Sequence, residues 1–458
     1  MANTTANGRR RWLVSACAAT GMTEQVVRRL GAAPFLPALF PLRYANMGGL
    51  DPAQFSNELH RCRSFEDDRW CGYWDAIADG HVDDAIAALN RIDPQAGEEI
   101  RAALAAPGDR DPHRLRAVLA PWATLLADHA LLPPEGVVRA MGEGEGPGHA
   151  APLRAVAPAV ASLLRAVTYL QVSAFPGGTP RRLAAYHRSR ALFDLLAAAI
   201  APGLETIVEP VSIETGGDTV RGYHCLPATP TPCPLVIVTN GLEGTVQELL
   251  VPLLRYHATG LGVLVMEMPG SYDYAEPMSA ASEAIYRQVI DSAVADPRVD
   301  ADRIGFVGVS FGGYWAARMA AADPRLACAV ACGAPTDRSF APKLGLPEII
   351  LEALAEVTGA TSPISLLRRL RALSLRGRYD QIRQPLLVIN GDDDTLLSTR
   401  DSIALAEGAP RGELLLYPDD DHCAMGHYRE WMDASQDWLA AQLLDGSRPA
   451  GAGASASG

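Results

Sequence analysis

The chain has 458 residues, of which 48% are hydrophobic and 20% are charged, proportions that are typical of globular proteins and exclude a wholly disordered or fibrous chain. At roughly 100–200 residues per domain, this length allows two to four domains. Its 53 acidic and 40 basic residues give a net charge of −13. A surface of this sign repels phosphate backbones, so we expect no nucleic-acid partner.

The beginning of the chain is typical of an ordinary helix rather than of an export signal. Residues 9–11 are three arginines before a short apolar stretch, but this stretch soon meets Glu24, so we expect a cytoplasmic protein. The apolar segment 155–164 is bounded by Arg154 and Arg165 and is shorter than the roughly 18 residues of a membrane span, so we expect no membrane contact. The eight cysteines contain no C-x-x-C pair and are too sparse for a disulfide scaffold.

Up to about residue 204 the apolar residues recur at helical spacing. The clearest segments are residues 83–89, 100–104, 115–132 and 192–200. A stretch rich in Gly, Glu and Pro at 142–152 predicts a surface loop or mobile linker. We therefore predict a helical region over residues 1–204.

From residue 205 onwards, short β-type runs alternate with helical runs. An opening antiparallel pair is predicted at 206–213 and 219–225, and six further strands at 235–239, 262–266, 304–308, 327–331, 386–390 and 414–417. Near-continuous apolar runs separated by helices are typical of strands buried on both faces of a parallel sheet. The intervening helices are predicted at 246–257, 279–295, 311–322, 399–407 and 428–443. We predict an α/β fold with a mostly parallel eight-stranded sheet over residues 205–445, and a disordered tail at 446–458.

A helical insertion is predicted at about residues 337–375. It follows the sixth strand, on the side where open α/β sheets keep their active sites. Its segment around 346–354 is amphipathic, which favours a lid or a dimer contact over a membrane anchor.

A serine stands between the fifth strand and the following helix, in the segment Gly308-Val309-Ser310-Phe311-Gly312-Gly313. A serine nucleophile must project from a turn so tight that side chains two residues before and after it would collide, which explains the glycines. The G-x-S-x-G spacing alone is common, and its position between a buried strand and a helix is what indicates a nucleophile.

Candidates for an acid and a base follow this serine, in the chain order serine, acid, histidine that one type of catalytic triad has. The acid belongs in the loop after strand 386–390, three residues past Gly391, which favours Asp394 and leaves Asp393 as the alternative. The base belongs in the loop after the last strand, where His422 stands; His427 is its nearest rival. Residues 419–421 are three aspartates, which are typical of a solvated acidic turn. No His, Cys or Asp set has zinc-like spacing, so we predict no metal.

Attack by Ser310 on a carbonyl would place negative charge on an oxygen atom, which needs backbone donors. The N–H of Phe311 is the first expected donor, and the amide of Leu242, in the loop after the strand at 235–239, is the second. Glu243 follows directly. A carboxylate there would oppose the negative charge unless it faces the substrate or is protonated, and it is alternatively a solvent-facing loop acid.

Together these motifs carry a resemblance to known enzymes. Residues 205–443 resemble the α/β-hydrolase superfamily. Over about residues 60–443, the chain is similar to the 2,6-dihydroxypseudooxynicotine hydrolase group and to the fungal polyketide-shortening hydrolases of pigment synthesis. Besides a helical N-terminal region, the shared motifs are Leu183-Ala-Ala-Tyr186-His187-Arg188, Gly241-Leu242-Glu243, Gly308-Val-Ser310-Phe-Gly-Gly313 and Asp421-His422-Cys423.

The resemblance implies a mechanism and an architecture. It assigns a Ser-Asp-His triad to Ser310, Asp394 and His422, and a substrate-facing glutamate to Glu243. Tyr186, in the first motif, is assigned to substrate binding. Members of the group use the helical region as a cap, commonly dimerise through it, and hydrolyse a carbon–carbon bond next to a ketone without a metal or an organic cofactor. The resemblance therefore implies that residues 1–204 are a cap and dimerisation region and that the chain forms a homodimer through it.

Three functions compete on these observations. The first is hydrolysis of a carbon–carbon bond next to a ketone in an aromatic or polyketide-like small molecule of secondary metabolism or catabolism. The second is ester hydrolysis, or the elimination of an acyloxy group in polyketide tailoring, by the same triad. The third is a non-catalytic binding protein on a hydrolase fold, against which the intact triad argues. Residues 266–272 depart from the Asp-x-Pro-Gly-x-Gly turn that such enzymes often have, which leaves the substrate contacts open.

Overall fold

Helices alone form the N-terminal part of the chain. The computed structural model describes residues 2–106, 108, 111–128, 147–204, 206–341 and 346–444, and within these ranges no strand precedes residue 206. The predicted helical character of this region is confirmed. Its helices α1–α9 are Ala2–Thr20, Thr23–Leu30, Phe40–Gly48, Pro52–Arg61, Asp67–Asn90, Pro94–Ala105, His113–Asp128, Pro147–Ala174 and Pro180–Ile200.

Several of these helices begin where the sequence favours a helix start. Asp51, Asp93 and Thr179 each precede a proline, and each side chain accepts a hydrogen bond from a backbone N–H in the first turn. Such caps satisfy N–H groups that have no intrahelical acceptor, and proline is preorganised for the first helical position.

The predicted loop at 142–152 is wrong in its second half. Residues 142–146 lie outside the described part of the chain, whereas α8 already begins at Pro147. Proline is tolerated at the start of a helix because the N–H that it lacks would have had no acceptor there. The glycine and proline pattern therefore marks the beginning of a helix rather than a continued loop. The predicted tail at 446–458 also lies outside the described residues.

Helix α8 contains a segment, Leu153–Ala174, that is long and apolar enough to cross a membrane. However, 78% of its most apolar window is buried inside the protein. It packs against α5, whose Trp70 and Trp74 are fully buried. A helix that is apolar on most of its surface is typical of a protein core as well as of a membrane.

The eight-stranded sheet is present and mostly parallel, as predicted. The strand order is β1-β2-β4-β3-β5-β6-β7-β8; β2 pairs antiparallel with both β1 and β4, and the remaining pairs are parallel. Each strand overlaps its predicted run. Strands β1–β8 are Thr206–Glu214, Thr219–Pro227, Cys233–Thr239, Gly262–Met266, Val299–Val309, Leu326–Cys332, Leu386–Gly391 and Gly412–Tyr417.

The helices of the C-terminal part also match their predictions, with two differences at the ends. The helix predicted at 246–257 becomes a 3-10 turn from Leu254, two residues after Pro252. The helix predicted at 279–295 begins with a 3-10 turn and is α-helical only from Glu283. Helices α10–α16 are Val246–Leu253, Glu283–Ala295, Phe311–Ala322, Glu348–Thr358, Pro363–Ala372, Thr399–Gly408 and Tyr428–Leu443. Of these, α13 and α14 lie within the insertion.

One edge of the sheet gathers the predicted site residues. The loops after β3, β5, β7 and β8 leave the carboxyl ends of parallel strands, which lie at the same edge of a sheet. Helix α3 lies over this edge, because Asn46 donates a hydrogen bond of 2.8 Å from Nδ2 to the carbonyl oxygen of Met425. The N-terminal helices therefore cover the place where these loops meet.

Candidate active site

Ser310 occupies the sharp turn between β5 and α12. Its backbone has φ +58° and ψ −121°, a left-handed conformation that costs a non-glycine residue energy. Its N–H donates to the carbonyl oxygen of Cys332 at 2.7 Å. A Cβ atom added to Gly308 would lie 1.9 Å from the carbonyl oxygen of Gly312, and one added to Gly312 would lie 2.4 Å from that of Thr239. Both glycines are therefore required for this turn, as the G-x-S-x-G spacing predicts.

His422 connects Ser310 with Asp394. The Nε2 atom of His422 lies 2.9 Å from the Oγ atom of Ser310, and its Nδ1 atom lies 2.9 Å from Oδ2 of Asp394. These distances join a hydroxyl, an imidazole and a carboxylate that come from three different loops. The arrangement can move a proton from the hydroxyl to the ring while the carboxylate holds the ring in one orientation.

The structure brings Asp394 to His422 and leaves Asp393 exposed to solvent. The carboxylate of Asp394 also accepts hydrogen bonds from the backbone N–H groups of Leu396 and Leu397, at 2.9 and 2.6 Å, and from Asn390 at 3.0 Å. Burial alone would raise the pKa of Asp394, but the charge of His422 and these donors lower it to about 2. Asp394 is therefore a carboxylate at neutral pH.

Burial lowers the pKa of His422, whereas its contacts with Cys423 and with the Asp394 carboxylate raise it. Cys423 lies beside the ring, with its Sγ atom 3.3 Å from Nε2. Burial also raises the pKa of Cys423, so its thiol is neutral. A strongly paired imidazole of this kind can hold a proton taken from the serine.

The rival His427 does not approach Ser310. Its Nδ1 atom lies 2.7 Å from a carboxylate oxygen of Asp420, and its ring stacks on Tyr417.

The prediction of a solvated acidic turn at 419–421 is wrong for two of its residues. Asp420 accepts from the N–H groups of His427 and Gly426. Asp421 accepts at 2.7 Å from the N–H of Thr395, which ties the loop of the acid to the loop of the base.

The loop after β3 packs directly against Ser310. A Cβ atom added to Gly241 would lie 2.6 Å from the Cβ atom of Ser310 and 2.8 Å from the backbone nitrogen of Phe311. Phe311 is the first residue of α12, so its N–H has no intrahelical acceptor. Leu242, the next residue of the loop, lines the same cavity as Ser310. The N–H of Phe311 is thus available near the serine for a developing oxyanion, and Leu242, the predicted second donor, lies in the adjacent loop.

Arg43 of helix α3, which the sequence analysis did not identify, binds the loop after β3. Its guanidinium donates to both carboxylate oxygens of Glu248, each at 2.8 Å, and to the backbone oxygen of Glu243 at 3.2 Å. Glu248 in turn accepts from the side chain of Asn240 at 3.2 Å. A residue of the N-terminal helices therefore fixes the oxyanion loop through a bidentate, charge-assisted pair. No local signal distinguishes Arg43 from the other arginines of the sequence.

A mostly apolar cavity of about 110 Å³ lies above Ser310 and His422. Helix α3, the insertion helices and the sheet edge all contribute to it. Its apolar walls include Phe40, Met47, Phe175, Leu242, Phe311, Phe340, Leu346, Ile350, Leu354, Leu370, Leu396 and Leu397, and its polar groups are those of Arg43, Asn240, Ser310, Ser339 and His422.

Two predicted substrate-binding residues do not line this cavity. Glu243 is buried, and its Oε2 atom accepts a hydrogen bond of 2.6 Å from the N–H of Gly177. The ring of Tyr186 stacks on Tyr272 at 4.1 Å, and its hydroxyl donates to Glu267 at 2.8 Å. Both join the N-terminal helices to the sheet edge, and Glu267 and Tyr272 belong to the segment that departs from the usual turn. Their assignment to substrate binding gains no support from these contacts.

We expect a Glu243→Gln variant to lose less stability than the wild type as the pH rises. Burial raises the pKa of Glu243 to about 7, against the opposing effects of the Gly177 N–H and Arg43. Between about pH 4.5 and 7 the folded state then binds more protons than the unfolded state, so the free energy of unfolding falls as the pH rises. A glutamine still accepts from Gly177 but does not ionise.

Urea unfolding at pH 5 and pH 8 measures this difference. The exposed Glu276→Gln variant is the matched control, and its pH dependence should equal that of the wild type. A Glu243→Gln variant with the full wild-type decrease would contradict the protonation assigned to Glu243.

In the described part of the chain, no group of three or more His, Cys, Asp or Glu side chains is arranged to hold a metal ion. The eight cysteines are all buried and unpaired by disulfides.

Comparison with known proteins finds related hydrolases. Residues 154–444 match a protein family described as "Esterase FrsA-like". The 2,6-dihydropseudooxynicotine hydrolase of Paenarthrobacter nicotinovorans is 26% identical over 258 residues, which cover 55% of this chain and 69% of that protein. The alpha/beta hydrolase gkaG of Penicillium citrinum is 33% identical over 193 residues, 38% of this chain and 44% of that protein. The second match thus spans less than half the length of its relative.

A solved structure shows the same fold over most of the chain. The crystal structure of the 2,6-dihydroxy-pseudo-oxynicotine hydrolase superposes with a TM-score of 0.61 and 20% sequence identity, and the match covers 88% of this chain and 96% of that one. At this identity the likeness establishes the α/β-hydrolase fold with its helical N-terminal region.

Proposed function

Because the chain belongs to the FrsA-like esterase family of α/β-hydrolases, we propose that it is a serine hydrolase that acts through Ser310, His422 and Asp394. One observation carries this proposal, the continuous chain of 2.9 Å contacts from the serine hydroxyl through the imidazole to the carboxylate. A non-catalytic binding protein would have no need for the strained backbone at Ser310, since such strain persists where function requires it.

The proposed reaction begins with attack of the Ser310 hydroxyl on a carbonyl carbon. His422 takes the hydroxyl proton as general base, and Asp394 stabilises the resulting imidazolium. The backbone N–H groups of Leu242 and Phe311 donate to the oxyanion. Collapse of this intermediate breaks the bond to the leaving group and leaves an acyl group on Ser310, which water then releases with His422 again as base.

We propose that the bond broken joins a ketone carbon to a carbon that leaves as a stabilised carbanion, such as an electron-rich phenolic ring. The electron pair of the bond goes to the leaving carbon, which His422 protonates. This proposal draws on the similarity to 2,6-dihydropseudooxynicotine hydrolase. The apolar cavity under the N-terminal helices also supports it, because excluding bulk water protects a proton transfer to carbon. A polyketide-like or aromatic small molecule is the proposed substrate class.

Ester hydrolysis is the second candidate, since the matching family is described as an esterase family. It uses the same residues and differs only in the leaving atom, which is oxygen. Elimination of an acyloxy group would need only His422 as base and no acyl-enzyme.

The homodimer, the cytoplasmic location and the domain limits stay predictions.

Two probe substrates and one covalent readout test the proposal. We expect the protein to convert a dihydroxyphenyl butyl ketone into resorcinol and pentanoate, and rapid-quench mass spectrometry to find a pentanoyl group on Ser310. Butyrate release from p-nitrophenyl butyrate without cleavage of the ketone would favour the esterase. Ketone cleavage without any adduct on Ser310 would contradict a covalent route. Ser339→Ala, which alters another serine of the same cavity, is the control and should still form the adduct.

A further inference from the structure

A second, larger depression lies beside the catalytic cavity. We call it the arginine groove; it has a volume of about 810 Å³ and is open to solvent. Phe340 and Ala341 line both the groove and the catalytic cavity, so the two spaces share a wall. A molecule bound in one space can therefore extend towards the other.

Three exposed arginines, Arg338, Arg371 and Arg376, line the groove. None of them forms an ion pair with a carboxylate in the described part of the chain. The groove also contains two acidic residues, but protein donors already occupy them. Asp401 accepts backbone N–H groups, and Asp337 accepts the hydroxyl of Ser374 at 2.6 Å. The groove thus carries three guanidinium groups against two carboxylates, a local excess of positive charge on a protein of net charge −13.

Asp401 gives this site a fixed geometry. Its buried carboxylate accepts from the N–H groups of four consecutive residues, at 3.0, 3.1, 2.9 and 3.0 Å; these residues are Thr336, Asp337, Arg338 and Ser339. The same short turn carries Arg338 in the groove and Ser339 in the catalytic cavity. A donor held on a preorganised turn loses less entropy on binding than one on a mobile loop.

We propose that the arginine groove binds an anionic group of the substrate, either a carboxylate or a phosphate. This group lies at one end of the substrate, while the carbonyl of the same molecule reaches Ser310. This inference rests on the proposed function. Guanidinium groups bind both anions through paired, charge-assisted hydrogen bonds. The reacting part of such a molecule would lie in the cavity, and its charged end would lie in the groove. Because the protein as a whole is acidic, this local cationic site is also what distinguishes such a substrate from a neutral one.

The ratio of kcat/KM for anionic and neutral probe esters measures the effect. The anionic probes are mono-p-nitrophenyl glutarate, which ends in a carboxylate, and a p-nitrophenyl butyrate that carries a terminal phosphate; the neutral probe is p-nitrophenyl butyrate. We expect the triple variant Arg338→Gln, Arg371→Gln, Arg376→Gln to lower this ratio at least tenfold for one or both anions. The carboxylate and phosphate arms identify which anion the groove prefers.

Helix α14 offers a matched control. Arg368 and Arg369 are exposed on it and do not line the groove, so the Arg368→Gln, Arg369→Gln variant should keep the wild-type ratio. Salt should lower the ratio of the wild type but not that of the triple variant, because screening weakens exposed charges. An unchanged ratio in the triple variant, or an equal fall in both variants, would overturn the inference.

A binding measurement separates this inference from the proposed function. Calorimetry follows glutarate and butyl phosphate binding to the Ser310→Ala protein, which needs no turnover. We expect at least tenfold weaker binding when the three groove substitutions are added, with far-ultraviolet circular dichroism unchanged. If the wild type hydrolyses none of the esters, the proposal of esterase activity is contradicted. Weaker anion binding by the variant with the three groove substitutions would still support the proposal that the groove binds anions. Equal binding, or no binding to the Ser310→Ala protein, would overturn it.

Discussion

A Ser310→Ala variant is expected to lose at least about 10⁴-fold in kcat on the dihydroxyphenyl butyl ketone and on p-nitrophenyl butyrate, whichever the wild type turns over. The hydroxyl is the atom that would form the acyl-enzyme, and alanine provides no substitute. The fold should be unaffected, because the removed hydroxyl lies at the cavity and supports no packing contact. A steady-state assay together with thermal unfolding measures both statements.

A His422→Ala variant should show a loss of similar size, since the two residues act as a unit. The Ser212→Ala control, at an exposed position of β1, should keep kcat within about threefold of the wild type. A β-acetoxy ketone provides the opposing test. If the Ser310→Ala variant still releases acetate from it while the His422→Ala variant does not, elimination by His422 alone replaces the covalent route.

The second large effect is expected from Asp394→Asn, which should lower kcat by about 10³- to 10⁴-fold. An asparagine at this position keeps the shape of the side chain but no longer stabilises the imidazolium, and it can hold the ring in the wrong tautomer. The neighbouring Asp393→Asn variant is the matched control, and its kcat should stay within about twofold because its carboxylate faces solvent. Loss of activity in Asp393→Asn with retention in Asp394→Asn would reverse the assignment.

The same substitution should change the acid stability of the protein. The pKa of Asp394 is lowered to about 2 in the folded state, against about 3.9 in an unfolded chain. Its ionisation therefore contributes stability that is present above about pH 4 and is lost as the pH falls towards 2. Urea unfolding between these pH values should show a smaller decrease for Asp394→Asn than for Asp393→Asn.

The sheet and the elbow could be predicted because each depends on local patterns. Buried parallel strands need continuous apolar runs, and the turn at Ser310 needs glycine at positions 308 and 312, so both leave a signal in neighbouring residues. Asp394 was favoured over Asp393 by its spacing from Gly391, and the contacts show the physical basis. Only Asp394 accepts the N–H groups of Leu396 and Leu397.

Contacts between distant parts of the chain could not be predicted in this way. Arg43 pairs with Glu248, 205 residues further on, and nothing in the sequence near either residue indicates the pair. The carboxylate of Glu243 was expected to face the substrate or solvent, but Gly177 in the N-terminal part binds it instead. The structure also places Tyr186 in a buried cluster with Tyr272. These side chains are positioned by contacts between segments that are far apart in the sequence, and such contacts leave no signal in the neighbouring residues.

The pair formed by Arg43 and Glu248 has a consequence for how such proteins diverge. Removing one partner of a buried ion pair leaves an uncompensated charge, which costs about 3–5 kcal/mol. Substitution of either residue alone should therefore weaken the contact between the N-terminal helices and the loop after β3. We therefore expect relatives either to keep both residues or to have replaced both, so that the N-terminal helices and the sheet domain evolve together at this contact.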